Sequence, residues 1–275
     1  MTKLRIMSNN VWWCDNNRDT WKEIGADCSA DHRAEGLLRI YGETKPDIIG
    51  LQECTARMAH KLMTLFAEQK APYAMLWGRD TPIVYRRDLF ELVDSEVLVY
   101  PEDIPGLEGS FNNASTKSYC LCLLRVKQTG QMLLVASTHL WYKTDVQQPF
   151  SEEARAWQLC TLARRMEELR ARYACPAIIL GDFNAHPSSR TVDSVLELGF
   201  AHAHHIATEH ADDTSGMHHC GLDGYNNEIR EGGFAKSIDH ILVRGDVSVS
   251  RYERYCPDYY MPVSDHSPLW IDAEI

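Results

Sequence analysis

The segment Ile178–Pro187, IILGDFNAHP, constrains the fold of this chain more than any other stretch. Its first three residues are apolar and two of them are β-branched, which predicts a buried strand. Asp182 and Asn184 follow two positions apart, so in extended backbone their side chains would share one face and Phe183 would point to the other. The segment therefore predicts a carboxylate and an amide at the carboxyl end of a core strand, although a strand end with an Asx turn would use the same residues.

The composition limits the partners of the protein. Of its 275 residues, 44% are hydrophobic and 24% are charged, as in ordinary globular proteins, and the formal net charge is −11. This charge disfavours a protein that grips duplex DNA, because neutralising phosphates takes clustered Lys and Arg, but a local basic patch or a bound metal can offset it. The chain shows no repeat, linker or low-complexity segment, which predicts one domain over residues 1–275.

The cysteines and the apolar runs indicate a compartment. The nine cysteines form no C-x-x-C pair, which favours free thiols in a reducing environment. The N-terminal segment Lys3–Val11 is predicted as a strand rather than a signal peptide, and no apolar run reaches membrane-spanning length. We therefore expect a cytoplasmic protein with no membrane contact and no obligate protein partner.

Polar side chains also stand at the ends of the other predicted strands. Glu53 follows the apolar run 47–51, where a carboxylate is costly unless it is paired or bound to metal, although an acid at a helix start is the alternative. His139 ends the strand predicted over 131–139, where a lone histidine is more often structural. The whole set is Asn10, Glu53, His139, Asp182, Asn184, Asp239, Asp265 and His266.

The residue types in this set indicate metal-assisted hydrolysis of a phosphoester. Carboxylates and amides supply the oxygen ligands that Mg²⁺ or Mn²⁺ prefers. Two histidines and a further aspartate remain for proton transfer or for holding anionic oxygens. No Cys or Ser is placed as an obvious nucleophile.

Six segments together resemble the endonuclease/exonuclease/phosphatase superfamily, a group of deoxyribonuclease-like, metal-dependent phosphohydrolases. They span nearly the whole chain in the order of the family, and Gly-Asp-Phe-Asn and Ser-Asp-His-Ser-Pro are the specific ones. The resemblance implies an α+β fold, a four-layer α/β-sandwich of two packed mixed β-sheets flanked by helices. The six segments are residues 8–11, 49–53, 137–140, 181–184, 237–241 and 264–269.

The resemblance also implies a metal site. Glu53 would be the principal ligand of Mg²⁺ or Mn²⁺, with Asn10 and Asp265 near the ion. The choice of Asn10 over Asn9 depends on the valine that follows it. Some nuclease members carry an acid where this chain has Trp12, which leaves one metal or two open.

The remaining residues would handle the phosphate and the proton. Asp182 would orient or deprotonate the attacking water, while Asn184 and His139 would bind phosphate oxygens. Asp239 would orient His266, which would hold the phosphoryl group or help with the proton. Whether Asp182 or His266 is the base stays open.

The substrate is not determined by the resemblance, since this family acts on nucleic acids, phospholipids, inositol phosphates and sugar phosphates. The acidic chain favours a small, sugar-like phosphorylated substrate. An endonuclease or exonuclease acting on DNA or RNA is the alternative, and a non-catalytic module that binds phosphorylated ligands is another.

Aromatic and histidine side chains near these residues are candidate substrate contacts. The segment 202–219 is rich in histidine, but its spacing matches no closed four-ligand zinc pattern, so a loop that lines the site is favoured. The candidate contacts are Trp12, Trp13, Trp141, Tyr142, His218 and His219.

Overall fold

The computed structural model describes residues 1–13, 27, 29–210, 233–255, 257–260 and 263–275. Its helices are α1 (Ala30–Thr44), α2 (Ala56–Glu68), α3 (Ser151–Tyr173), α4 (Arg190–Leu196) and α5 (Ala203–Ile206), with 3₁₀ turns at Gly233–Lys236 and Asp258–Tyr260. Its strands are β1 (Lys3–Asn10), β2 (Ile48–Gln52), β3 (Tyr73–Leu76), β4 (Ile83–Arg86), β5 (Phe90–Val99), β6 (Ser118–Val126), β7 (Met132–His139), β8 (Ala177–Asp182), β9 (Ala201–His202), β10 (Glu209–His210), β11 (Asp239–Arg244), β12 (Ser248–Arg254) and β13 (Leu269–Glu274).

The strands form two mixed sheets. One has seven strands in the order β10-β12-β13-β1-β2-β4-β3, and the other has six in the order β5-β6-β7-β8-β11-β9. The pairs β1–β2 and β7–β8 are parallel, so the carboxyl ends of both partners lie at the same edge of their sheet. Their neighbours β13 and β11 run antiparallel to them.

Three apolar layers separate the sheets and the helices. In β8, Ile178 and Leu180 pack between the two sheets, while Ala177 and Ile179 pack beneath α3 and α4. A third layer lies between the seven-stranded sheet and α1 and α2. The alternation follows from the period of two along a strand. The predicted four-layer sandwich is confirmed.

Gly181 permits the close approach of the two parallel strands that carry the site. A Cβ atom at this position would lie 2.0 Å from the backbone oxygen of Thr138 on β7. Only glycine fits there. After β8 the chain enters α4, where Ser189 is the N-cap and its hydroxyl accepts a hydrogen bond from the Val192 amide at 3.3 Å. Within the described ranges, no helix has the length and apolar character needed to cross a membrane.

Candidate active site

Strand register brings three of the predicted residues side by side. His139 is the partner of Asp182 across β7 and β8, and Asp182 is the partner of Asp239 across β8 and β11. Asn10, at the end of β1 in the other sheet, donates a hydrogen bond from Nδ2 to Asp182 Oδ2 at 3.0 Å. The same Nδ2 lies 3.4 Å from Glu53 Oε1. The edges of both sheets therefore meet at one cluster of polar side chains.

Asp182 and Asn184 reach this cluster through a turn rather than through extended backbone. The strand ends at Asp182, and Asn184 has a left-handed φ of 51°. The Asn184 amide donates to Asp182 Oδ1 at 2.9 Å, which is an Asx turn. Phe183 is buried beneath the helices. The Asx turn and the site are thus compatible, because the turn leaves Asp182 Oδ2 directed at the cluster.

Asn9 and Asn10 have different surroundings. Asn9 contacts the hydroxyls of Tyr41 and Tyr260, each at 3.0 Å, on the helix side of the sheet. The oxygen of Asn10 accepts from the Trp12 amide at 2.9 Å, and since that amide can only donate, the Asn10 nitrogen must face the carboxylates. Asn10 is therefore the residue of the pair that reaches the cluster, where it bridges Glu53 and Asp182.

His266 is held by Asp239. Their Nδ1 and Oδ2 atoms are 2.8 Å apart, and His266 Nε2 lies 3.9 Å from Asp182 Oδ2. Burial alone would lower the pKa of His266, but the carboxylates of Asp239 and Asp182 outweigh it and raise the pKa well above its usual value. Asp265, which precedes His266, is half-buried. His266 is thus held by Asp239 with its Nε2 directed at Asp182.

Two residues of the cluster, Asp80 and Lys117, were not predicted from the sequence. Asp80 Oδ2 lies 2.6 Å from His139 Nδ1, and Lys117 Nζ lies 2.7 Å from His139 Nε2. Two fully protonated donors cannot share the second contact, so one of these two nitrogens accepts a hydrogen bond from the other. Burial lowers the pKa of Lys117. One signal was available for Lys117: it precedes β6, whose first residue pairs with His139.

Glu53 is a strained and ionised carboxylate. Its φ of 55° lies in the left-handed region, which costs about 1–3 kcal/mol for a residue other than glycine. Its Oε2 accepts from the Trp13 amide at 2.9 Å. Burial raises the pKa of Glu53, but the basic groups around it, His139, Lys117 and His266, outweigh burial and lower the pKa. By contrast, burial raises the pKa of Asp182.

Two overlapping groups of side chains fit a divalent cation. The ligand atoms of Glu53, His139 and Asp182 all lie within 4.8 Å of one another, and so do those of Asp182, Asp239 and His266. Carboxylate oxygens are the donors that Mg²⁺ and Mn²⁺ prefer. In the described part of the chain, Asp239 Oδ1 is buried with no hydrogen-bond partner. The donor set therefore suits an ion of this kind.

The cluster opens into a cavity of about 320 Å³, which we call the active-site cavity. Trp12 and Trp141, predicted to contact the substrate, are only 3% and 2% exposed and are absent from its described lining, so that prediction requires correction. Arg33 covers the Trp12 ring at 4.7 Å, and Trp141 packs in a small core. His218 and His219 lie outside the described residues. The lining includes Trp13, Glu53, Lys117, His139, Tyr142, Asp182, Asn184 and His266.

Several solved structures share the fold of this chain. An endonuclease/exonuclease/phosphatase from Bacteroides vulgatus is 20% identical, with 100% of both chains covered and a TM-score of 0.80. A mannosyl-6-phosphatase from Bacteroides thetaiotaomicron is 20% identical, with 99% of this chain and 100% of that chain covered and a TM-score of 0.74. D. rerio TDP2, complexed with a single-strand DNA product, is 17% identical over 100% of both chains, with a TM-score of 0.71.

The sequence comparisons define the family. No curated protein matches the chain. The model described as the Endonuclease/Exonuclease/phosphatase family matches residues 10–266, a range that contains every residue of the cluster described above. This chain belongs to the Endonuclease/Exonuclease/phosphatase family, whose members are hydrolases of phosphoester bonds.

Proposed function

We propose that this protein is a divalent-metal-dependent hydrolase of a small phosphorylated substrate, with sugar phosphates as the leading class. The observation that carries the proposal is the convergence of three side chains on Asp182 Oδ2. Asn10 Nδ2 lies 3.0 Å from it, His139 Nε2 lies 3.6 Å from it, and His266 Nε2 lies 3.9 Å from it. These contacts fix the position of Asp182 Oδ2, and burial raises the pKa of Asp182, so this oxygen is suited to orient a water beside a phosphoryl group and to take its proton.

Glu53 would hold the cation, with Asp265 and Asn10 beside it. When bound, Mg²⁺ or Mn²⁺ supplies charge stabilisation on the phosphoryl oxygens. Asn10 presents its amide nitrogen to both Glu53 and Asp182, so in our proposal it keeps these two carboxylates apart and correctly turned. The hydrogen bond from the Trp13 amide to Oε2 fixes the direction of the Glu53 carboxylate.

The other residues would act on the water and the phosphate. Asp182 Oδ2 would orient the attacking water and take its proton. His266, held in place by Asp239, would donate a hydrogen bond to a phosphoryl oxygen. The pair formed by Lys117 and His139 would hold a second oxygen on the opposite side, and Asn184 would contribute its amide. Preorganised donors of this kind stabilise the charge that develops during phosphoryl transfer.

A small substrate is supported by the cavity and by the charge. The cavity of about 320 Å³ is of the size of small-molecule sites, and the net charge of −11 opposes a long polyanion. The structural likeness to a mannosyl-6-phosphatase adds support for a sugar phosphate. The likeness to TDP2 with its DNA product keeps nucleic acid as the second candidate.

The test is phosphate release from a panel of sugar phosphates and nucleotides with Mg²⁺, Mn²⁺ or EDTA, beside a gel assay on single- and double-stranded nucleic acid. We expect release from a sugar phosphate that EDTA abolishes, and its loss in Asp182→Asn with an unchanged thermal melt. Cleavage seen only on the gel would make the protein a nuclease. Binding of phosphorylated compounds without turnover under any metal would identify a non-catalytic module.

A further inference from the structure

A second cavity of about 360 Å³ adjoins the active-site cavity. The two share Trp13, Asp80 and Thr116 in their walls, so a ligand can extend from one into the other. No step of the proposed hydrolysis uses this second cavity. We call it the side cavity.

Two tryptophans line the side cavity. Trp77 is 45% exposed, and Trp13 is half-buried. A large aromatic ring left in solvent beside a concave site is typical of a surface that stacks on a ligand. The Trp13 amide also donates to Glu53 Oε2, so its position is tied to the proposed metal carboxylate. A ring stacked on these tryptophans would therefore stand at a defined place relative to the reacting phosphate.

Two exposed arginines, Arg57 and Arg79, line the same cavity. The Arg79 guanidinium makes no hydrogen bond or ion pair to any residue that the structure describes. Arg86, by contrast, lies 3.2 Å from Asp47 and 2.6 Å from Asp88. In a chain with a net charge of −11, an arginine without a carboxylate partner at a cavity wall is directed to an anion from outside.

An acceptor stands where the two cavities meet. Asp80 uses Oδ2 for His139, but its Oδ1 is buried and has no hydrogen-bond partner in the described ranges. A buried acceptor without a partner is costly, and a hydroxyl of a ligand would satisfy it. The wall between the cavities thus matches a hydroxylated ring.

We propose that the side cavity is a second subsite, which binds the non-reacting end of the substrate. That end is a hydroxylated ring that stacks on Trp13 and Trp77 and carries a second anionic group, which Arg79 and Arg57 bind. The inference rests on the proposed function and deepens it, because it selects doubly anionic substrates. A sugar bisphosphate and a nucleoside bisphosphate share this chemistry.

The experiment compares matched substrates that differ by one phosphate. The sugar pair is glucose 6-phosphate and glucose 1,6-bisphosphate, and the nucleoside pair is adenosine 3′-phosphate and adenosine 3′,5′-bisphosphate. In at least one pair we expect kcat/KM for the bisphosphate to exceed kcat/KM for the monophosphate about tenfold. The difference should come mainly from a lower KM, because one additional charged contact contributes about this much. The pair that shows the preference identifies the ring.

The variants assign the preference to the side cavity. Arg79→Gln should lower the ratio of the two kcat/KM values about tenfold, and Trp77→Ala should raise KM for the bisphosphate by a similar factor. Arg87→Gln is the matched control, because Arg87 is also exposed but follows β4 at the end away from the cavity. It should keep the wild-type ratio. The preference should also weaken between 50 and 500 mM KCl, since exposed charges are screened.

The outcomes separate this inference from the proposed function. If EDTA-sensitive release from monophosphates is found but no bisphosphate is preferred, or Arg79→Gln keeps the preference, the subsite is wrong and the hydrolase stands. If no compound is hydrolysed, the proposed function fails, and calorimetric titration of the two bisphosphates then decides. Weaker binding to Arg79→Gln than to wild type would support the subsite, and equal binding would overturn it.

Discussion

Asp80 Oδ2 lies 2.6 Å from His139 Nδ1 in the buried floor of the active-site cavity. On the other side of the ring, Lys117 Nζ lies 2.7 Å from Nε2. The imidazole is therefore clamped between an acidic acceptor and a basic group. This clamp directs His139 at Asp182 and Glu53, which lie 3.6 and 3.9 Å from Nε2.

Asp80→Asn should reduce catalysis without preventing folding. The amide oxygen still accepts from His139 Nδ1, but the charge that strengthens this hydrogen bond is lost. A charged hydrogen bond contributes about 1.5–3 kcal/mol, so we expect kcat/KM to fall about 10- to 100-fold. The measurement is kcat/KM with the best substrate of the panel. Asp103→Asn, on an exposed loop, is the control, and equal kinetics in the two variants would show that the clamp has no role.

Lys117→Met should separate activity from stability. Methionine fills a similar volume, and burying the ammonium of Lys117 costs free energy, as its lowered pKa indicates, so removing it costs the fold little. We expect the free energy of unfolding to change by less than about 1 kcal/mol. The loss of a charged donor to the phosphate should raise KM about tenfold. Chemical denaturation and steady-state kinetics give both quantities, with the exposed Lys127→Met as the control. An unchanged KM would contradict the proposed role.

Magnesium should stabilise the folded protein before any substrate is added. An ion that binds only the native state raises the free energy of unfolding by about 2.7 kcal/mol when its concentration is one hundred times Kd. For a chain of this length this corresponds to a rise in Tm of about 5 °C. Glu53→Gln should lose most of that rise, whereas Glu35→Gln, an exposed change on α1, should retain it. A shift of the same size in both variants would place the ion elsewhere.

Acid should destabilise the fold through His202 and His240. The two rings form a chain of hydrogen bonds. The His204 amide donates to His202 Nδ1, and His202 Nε2 donates to His240 Nδ1 at 3.0 Å. His240 Nε2 then donates to the carbonyl of Ala185, just after the Asx turn. Each ring must carry one proton for this chain to hold. Burial lowers the pKa of His240 to about 4, and it also lowers the pKa of His202 well below its usual value.

The pH dependence follows from the direction of these shifts. The folded state favours neutral His240, so its contribution is complete above the unfolded pKa of about 6.5 and is lost as the pH falls towards 4. The loss from this ring approaches about 3 kcal/mol at pH 4 and below, and about 2 kcal/mol of it has occurred at pH 5. Unfolding by urea at pH 7.5 and pH 5 measures it, and His240→Gln should flatten the difference. The same pH dependence in the variant would assign it to other groups.

Gly181→Ala should disrupt the junction of β7 and β8. The added Cβ atom would meet the Thr138 carbonyl oxygen at 2.0 Å, and backbone cannot move aside cheaply. We expect the free energy of unfolding to fall by about 3 kcal/mol or more, because overpacking against rigid backbone costs more than overpacking against side chains that can move. Gly42→Ala is the matched control, since nothing lies within 4 Å of a Cβ there and the residue is helical. That variant should gain about 0.5–1 kcal/mol.

The sequence by itself determined which strands end in polar side chains. Apolar runs that end in Glu53, His139 and Asp182 predict both a strand and a polar group at its end. Both signals are local in the sequence, because the side-chain direction alternates along a strand and a polar group at the end of a buried strand needs a partner. The parallel pairs β1–β2 and β7–β8 then bring those ends to a common edge. The strands and the polar groups at their ends were predictable for this reason, whereas the two-sheet sandwich was predicted from the resemblance of six segments to the family.

Only the tertiary structure decided which loop residues join the cluster. Asp80 precedes β4 and Lys117 precedes β6, and neither follows an apolar run, so their approach to His139 depends on strand pairing between distant segments. The position of the tryptophans at the cavity also depends on the tertiary structure. Trp12 takes a left-handed φ of 55°, which buries its own ring and leaves Trp13 at the cavity. A single backbone dihedral decides between two adjacent tryptophans, and it is set by the hydrogen bonds of Asn10 and Glu53 to the two amides rather than by composition or periodicity.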